Sequence, residues 1–324
     1  MSLTDEHGEW FQRWFNAILA NVESVIMGKR EQVGLALVCV LAEGHLLLED
    51  VPGTGKTTLA KAIAHSIKGS WSRIQFTPDL LPSDVTGGMI FNQANNEFET
   101  FFGPIFANIV LADEINRASP KTQAALLEVM EERHVTIGRD TNDVPRPFVV
   151  VATQNPVEQE GTYRLPEAQL DRFLMRSSLG YPDEEAEVAV LGSIANNVIP
   201  ENLEAVLSTV DVRRMIETAG AVHVDPAMRR YMVQLAATTR NLPEVRLGVS
   251  PRGAIGMMKA ARALAAARGR IYVNVGDIKR VAPAVMNHRI LLTPEAELAG
   301  TRPDDLVLQV LESVPAPAAE RAED

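Results

Sequence analysis

The sequence predicts an α/β fold, a doubly wound parallel sheet of five strands followed by a smaller all-helical domain. Three observations predict it. Short apolar runs alternate with helical patterns through the first part of the chain. Several runs are apolar at consecutive positions, as at residues 109–111 and 149–151, which is how parallel strands covered on both faces read. Past "YPDEEAE" at residues 181–187 the strand signal nearly vanishes and helical patterns dominate. In such a sheet, ligands sit beyond the carboxyl ends of the strands.

Two helical patterns open the chain. The first carries Trp10, Trp14, Ile18, Val22 and Val25 near helical spacing, and the second carries Val33, Leu37, Val40 and Leu41; an aromatic stripe of this kind reads as core. The five strands are expected in "HLLLE" at 45–49, "SRIQF" at 72–76, "NIVLA" at 108–112, "PFVVVAT" at 147–153 and "RSSLGY" at 176–181. Helices are then expected at 203–209, 211–219, 226–239, 251–267, 278–288 and 303–313. The expected division is a nucleotide-sized α/β unit over 1–183, a helical domain over 184–313, and a disordered tail over 314–324, where proline, alanine and charge lack apolar periodicity.

Composition narrows the function. Lys+Arg 31 against Asp+Glu 42 leaves a net charge of −11, which disfavours broad binding to nucleic acid or acidic membranes. Cys39 is the single cysteine, so no disulfide framework exists and a reducing cytoplasm fits. The N-terminus lacks a basic segment followed by an apolar core, and the apolar run at 34–42 is shorter than the ~20 residues that span a bilayer. No membrane insertion is expected. The six histidines are scattered without the spacing of a metal cage, so any metal is expected to arrive with a nucleotide.

"LLLEDVPGTGKTTLAKAIA" at 46–64 reads as strand, glycine-rich loop and helix start. Gly53 and Gly55 can take positive φ and let backbone N–H groups converge on phosphate oxygens at the positive end of the helix. The cradle comprises Asp50, Val51, Pro52, Gly53, Thr54, Gly55, Lys56, Thr57 and Thr58. Lys56 would reach the β- and γ-phosphates and Thr57 would ligate Mg²⁺. The usual pattern begins with glycine where this chain has Asp50; aspartate tolerates left-handed backbone, so the turn stays feasible if its carboxylate points away from the phosphates.

"NIVLADEINR" ends a strand in Asp113, suited to hold Mg²⁺ through water, and Glu114, suited to polarise an attacking water. Asn155, at the end of "PFVVVATQN", is a neutral amide that could orient that water. "RLPEAQLDRFLMR" offers Arg164, Arg172 and Arg176, and "SPRGAI" places Arg252 in the first turn of a helix with Ser250 as N-cap and Pro251 as first residue. A cation there opposes the helix dipole and asks for a compensating anion. For Arg172 two readings stand level: contact with a neighbouring subunit's nucleotide, or an ion pair with Asp171, Glu167 or another carboxylate.

"DVPGTGKTT", "NIVLADEINRA", "VVATQNP", "LPEAQLDRF" and "GVSPRGAI", in this order, resemble the AAA+ P-loop ATPases and specifically the MoxR family, over roughly residues 22–310. The resemblance implies ATP and Mg²⁺ as cofactors, a helical lid domain, Walker A at Lys56 and Thr57, and Walker B at Asp113 and Glu114. It further implies a first sensor at Asn155, an arginine finger at Arg172 with Arg117 and Arg176 as rivals, and a second sensor at Arg252. Residues 84–106 resemble an insert in the second core helix, and 134–148 a β-hairpin before the first sensor. The implied activity is ATP hydrolysis coupled to remodelling of protein clients, with partners bearing von Willebrand factor A (VWA) domains and assembly as a ring, commonly a hexamer. If Arg252 and Lys56 face one another across the two domains, the nucleotide binds at their junction. A nucleic-acid motor is the alternative, disfavoured because Arg139, Asp140, Asp143 and Arg146 cancel on the hairpin; a metal-chelatase-like ATPase subunit is another.

Overall fold

The computed structural model describes residues 3–94, 96–155, 162–195 and 198–317. Among these, β1 (Leu46–Glu49), β2 (Trp71–Gln75), β3 (Ile109–Asp113), β4 (Val149–Gln154) and β5 (Met175–Ser177) form one sheet in the order β5-β1-β4-β3-β2, every pair parallel. Alternate residues of each central strand enter different cores, as strand geometry demands. Leu46, Leu48, Ile109, Leu111, Val149 and Val151 join the core shared with α1 (Asp5–Glu23), α2 (Arg30–Leu41) and α3 (Lys56–Ser66). Leu47, Val110, Ala112, Val150 and Ala152 join the one beneath α4 (Pro120–Glu132). The consecutive apolar runs are therefore two faces read as one string.

Two hairpins leave this second layer. One pairs Gly87–Asn92 with Glu97–Phe102, and the other pairs His134–Ile137 with Asp140–Asp143. They lie inside the two segments singled out at 84–106 and 134–148.

The helical part comprises α5 (Glu184–Ala195), α6 (Thr209–Ala221), α7 (Pro226–Thr239), α8 (Pro251–Ala267), α9 (Val275–Met286) and α10 (Pro303–Ser313). Its core is continuous with that of α1 to α3. Gly8 of α1 approaches Gly269 so closely that a Cβ would lie 2.4 Å from its carbonyl oxygen.

Several expectations need correction. Residues 203–209 are not a helix: Leu207–Ser208 pair in parallel with Ile67–Lys68, and α6 starts at Thr209, capped by Ser208. Residues 178–181 leave the sheet after Ser177 for a reason that lies in Asp50, below. On α1 the fully buried aromatic is Phe11, while Trp10 is partly exposed and Arg214 stacks on its ring, 4.4 Å from the centroid. Residues 318–324 of the expected tail lie outside the described residues.

Candidate functional site

The loop between β1 and α3 turns twice through left-handed backbone, with φ 83° at Gly53 and 87° at Gly55. A Cβ on Gly53 would meet nothing within 4 Å, so the glycine serves the turn and leaves space above it. Gly55 is the N-cap of α3, and no side chain caps that helix; its first N–H groups face the loop. Lys56 folds over the loop and donates to the carbonyls of Asp50 (2.6 Å) and Val51 (2.7 Å).

Asp50 departs from the expectation set for it. Its φ is not positive, so no left-handed residue is needed at this position. Its carboxylate does point away from the cradle: Oδ2 accepts from Ser178 Oγ (3.0 Å), Leu179 N (2.8 Å) and Gly180 N (2.6 Å), and Oδ1 accepts from Val51 N (2.9 Å). These bonds draw residues 178–180 out of strand pairing, which is why β5 stops at Ser177. Burial alone would raise the Asp50 pKa, but the bonds outweigh it and hold the carboxyl below its ordinary range.

At the carboxyl ends of β2, β3 and β4 the polar groups interlock. Thr57 Oγ1 donates toward both oxygens of Asp113, at 3.4 and 3.3 Å. Thr153 Oγ1 donates to Asp113 Oδ1 (2.6 Å) and accepts from the Glu114 N–H (2.9 Å), so a single hydroxyl ties the Asp113 carboxylate to the Glu114 backbone. Glu114 sits in left-handed backbone, φ 57° and ψ 48°, which turns the chain at the strand tip. Arg73 donates to Asp113 Oδ2 from Nε (3.1 Å) and Nη2 (2.7 Å), and Gln75 donates to Glu114 Oε2 (2.9 Å). Asn155 is buried beside them. Together with Lys56 and the glycines these groups line a cavity of about 410 Å³.

This cavity suits a magnesium-bound triphosphate. The donors around Asp113 are carboxylate and hydroxyl oxygens, the hard set that Mg²⁺ prefers. Among the described residues no three His, Cys, Asp or Glu side chains cluster as a metal cage, so phosphate oxygens would complete the coordination. Thr153, Arg73 and Gln75 escaped the sequence reading. Part of the signal for the last two was present, since they lie two apart on β2 and so share a face; that Gln75 is the register partner of Asp113 is visible only in the structure.

Arg172 and Arg252 are elsewhere. Glu131, at the end of α4, accepts Arg252 Nη2 (2.6 Å) on one oxygen and faces Arg172 Nε (3.1 Å) with the other. Both arginines line a second cavity of about 320 Å³ together with Gly44 and His45. Those residues precede β1, whereas Pro52 and Gly53 of the first cavity follow it. Arg252 and Lys56 of one chain therefore do not face one another: they line cavities at opposite ends of β1. The anion that compensates Arg252 at the helix start is Glu131, and Ser250 Oγ, at the N-cap position, donates to Asp171 Oδ2 (3.2 Å) and does not cap the helix. Of the rival arginines, Arg176 pairs with Glu49 (2.9 Å) and Arg117 with Glu114 (3.1 Å).

A buried guanidinium holds this second assembly. Arg289, on the turn after α9, donates to Asp171 Oδ1 (2.7 Å), Asp171 O (3.1 Å), Phe173 O (2.6 Å), Leu174 O (3.2 Å) and Val285 O. The helical part thereby grips the segment on either side of Arg172.

The chain matches the family profile of the ATPases associated with various cellular activities over residues 45–175, and an AAA lid domain profile over 237–310. It is 49% identical to the Bacillus subtilis protein YeaC, covering 93% of this chain and 94% of that one. It is 45% identical to the Mycobacterium tuberculosis chaperone MoxR1, covering 91% and 80%. A crystal structure of a protein from Cytophaga hutchinsonii, provisionally assigned as an ATPase, superposes with a TM-score of 0.89 at 38% identity, covering 97% and 98%. No helix among the described residues is long and apolar enough to cross a membrane.

Proposed function

The chain belongs to the MoxR family of AAA+ ATPases, and from that premise we propose that it hydrolyses ATP in the cavity of Lys56, Asp113 and Glu114 and couples hydrolysis to remodelling or assembling protein clients. The observation that carries the reading is the Thr153 hydroxyl, which bonds Asp113 and the Glu114 N–H at once. This supports reading Asp113 as the metal-binding acid and Glu114 as the water-polarising one, the division of labour that phosphoryl transfer needs. Lys56, Arg73 and the loop N–H groups would bind the phosphates; Thr57, and Asp113 through water, would hold the metal; Glu114 would accept the proton of the attacking water, which Asn155 would orient. Bound Mg²⁺ would neutralise charge on the β- and γ-phosphate oxygens.

Arg172 and Arg252 share one cavity on the far side of β1. That arrangement supports both acting on the nucleotide of an adjacent subunit, with Arg172 as the finger, in a homo-oligomeric ring that we take to be a hexamer. A VWA-domain partner follows from the family alone. The acidic chain, at −11, disfavours the nucleic-acid alternative. The decisive measurement is ATP turnover by Glu114→Gln: it should fall by about 10²–10⁴-fold while nucleotide binding persists, and unchanged turnover defeats the mechanism.

A further inference from the structure

Residues 74–116 contain no lysine, arginine or histidine, while Asp79, Asp84, Glu97, Glu99, Asp113 and Glu114 all fall within them. The hairpin Gly87–Asn92/Glu97–Phe102 projects from this stretch and keeps large apolar side chains in solvent: Phe98 is 65% exposed, Phe101 58% and Ile90 53%. Its two faces are not equivalent. On the face of Met89, Phe91 and Phe98, the tip of the second hairpin reaches Met89, since a Cβ on Gly138 would lie 2.4 Å from its sulfur, while Phe98 stays exposed.

The opposite face, which does not carry Met89, has a direction. By the hairpin register Asn92 opposes Glu97, Ile90 opposes Glu99 and Gly88 opposes Phe101. It therefore runs from acid near the turn to aromatic near the base. A Cβ on Gly88 would meet nothing within 4 Å, which leaves a notch beside the Phe101 ring. Asn92 donates to Glu99 Oε1 (2.7 Å) and fixes that carboxylate. The hairpin is a sheet of two strands among the described residues, so each strand carries an outer edge able to pair with another extended chain.

We propose that this face docks an extended segment of a client polypeptide, with basic side chains toward Glu97 and Glu99 and an apolar one in the notch over Gly88. The proposal rests on the client-handling reading above and names the chemistry of the client. Charge decides between occupants. Nucleic acid and anionic membranes are repelled by the same carboxylates, and a second copy brings an identical acidic hairpin.

The test uses the full-length protein without nucleotide and two fluorescent peptides read by anisotropy, one alternating Lys with Leu and one with Glu in place of Lys. The Lys peptide should bind more tightly by about tenfold or more, and less tightly as salt rises. Phe101→Ser should weaken it by about tenfold. Glu97→Lys with Glu99→Lys should reverse the order of the two peptides, an outcome that loss of folding cannot produce. Equal binding of both peptides, binding of neither, or the wild-type order in the charge-reversed variant overturns the proposal. ATP turnover is measured in parallel: turnover without peptide discrimination sinks this inference alone, and discrimination without turnover sinks the ATPase reading alone.

Discussion

Asp50 stands where the phosphate-loop pattern has glycine, and the substitution was legible in the sequence; its purpose was not. A motif is a string, whereas the Asp50 carboxylate collects the hydroxyl of Ser178 and the N–H groups of Leu179 and Gly180, about 130 residues away. Restoring the usual residue with Asp50→Gly should therefore lower stability by about 1–3 kcal/mol, because buried donors lose their acceptor; urea unfolding would measure it. The folded pKa is depressed, so this contribution is complete above the ordinary carboxylate pKa of about 3.9. It is lost as pH falls through the lower folded value. Thr153 was hidden for the same reason: inside a valine-rich strand its hydroxyl gives no local sign that it serves two acids on the neighbouring strand.

At the scale of elements, β1, β3 and β4 were readable because both of their faces are apolar. β2 was harder, since as an edge strand it buries Ile74 and leaves Trp71, Arg73 and Gln75 exposed or half-buried. The stretch 203–209 was misread because Leu207–Ser208 pair with a two-residue strand, too short for periodicity to reveal. His45, just before β1, binds three elements together. The Val150 N–H donates to its Nδ1 (3.0 Å), so the proton lies on Nε2, which donates to Met130 O (3.0 Å). Burial, helped by the nearby Arg133 charge, pushes its pKa down to about 3. The unfolded chain takes up a proton below about pH 6.5 and the folded one does not until far lower, so the unfolded state holds more protons across that window. Stability is complete above pH 6.5 and falls by about 1.4 kcal/mol per pH unit of acidification for this group. His288, also buried and shifted down, adds to the slope. Melting temperatures between pH 7 and 5 should decline, and His45→Gln should flatten the decline while lowering the midpoint at pH 7. A slope unchanged in that variant would remove His45 as its source.

For the molecule as a whole, the proposed reading makes each of the two cavities at opposite ends of β1 half of a site that a neighbouring chain would complete. Arg172→Ala should bind ATP and fail to turn it over, and mixing it with Lys56→Ala should recover part of the activity. No recovery would place the finger within its own chain. Arg289→Met should behave like Arg172→Ala in the mixture and also unfold earlier, since breaking a buried ion pair costs about 3–5 kcal/mol. The same magnitudes separate two uses of arginine around one segment. Arg289 is 8% exposed and saturated with acceptors, so it is locked. Arg172 and Arg252 are more open to water, and each leans on Glu131, an association worth about 0–1 kcal/mol. Glu131 holds the pair there, and on the proposed reading a neighbouring subunit's triphosphate, carrying more charge than one carboxylate, would outcompete it.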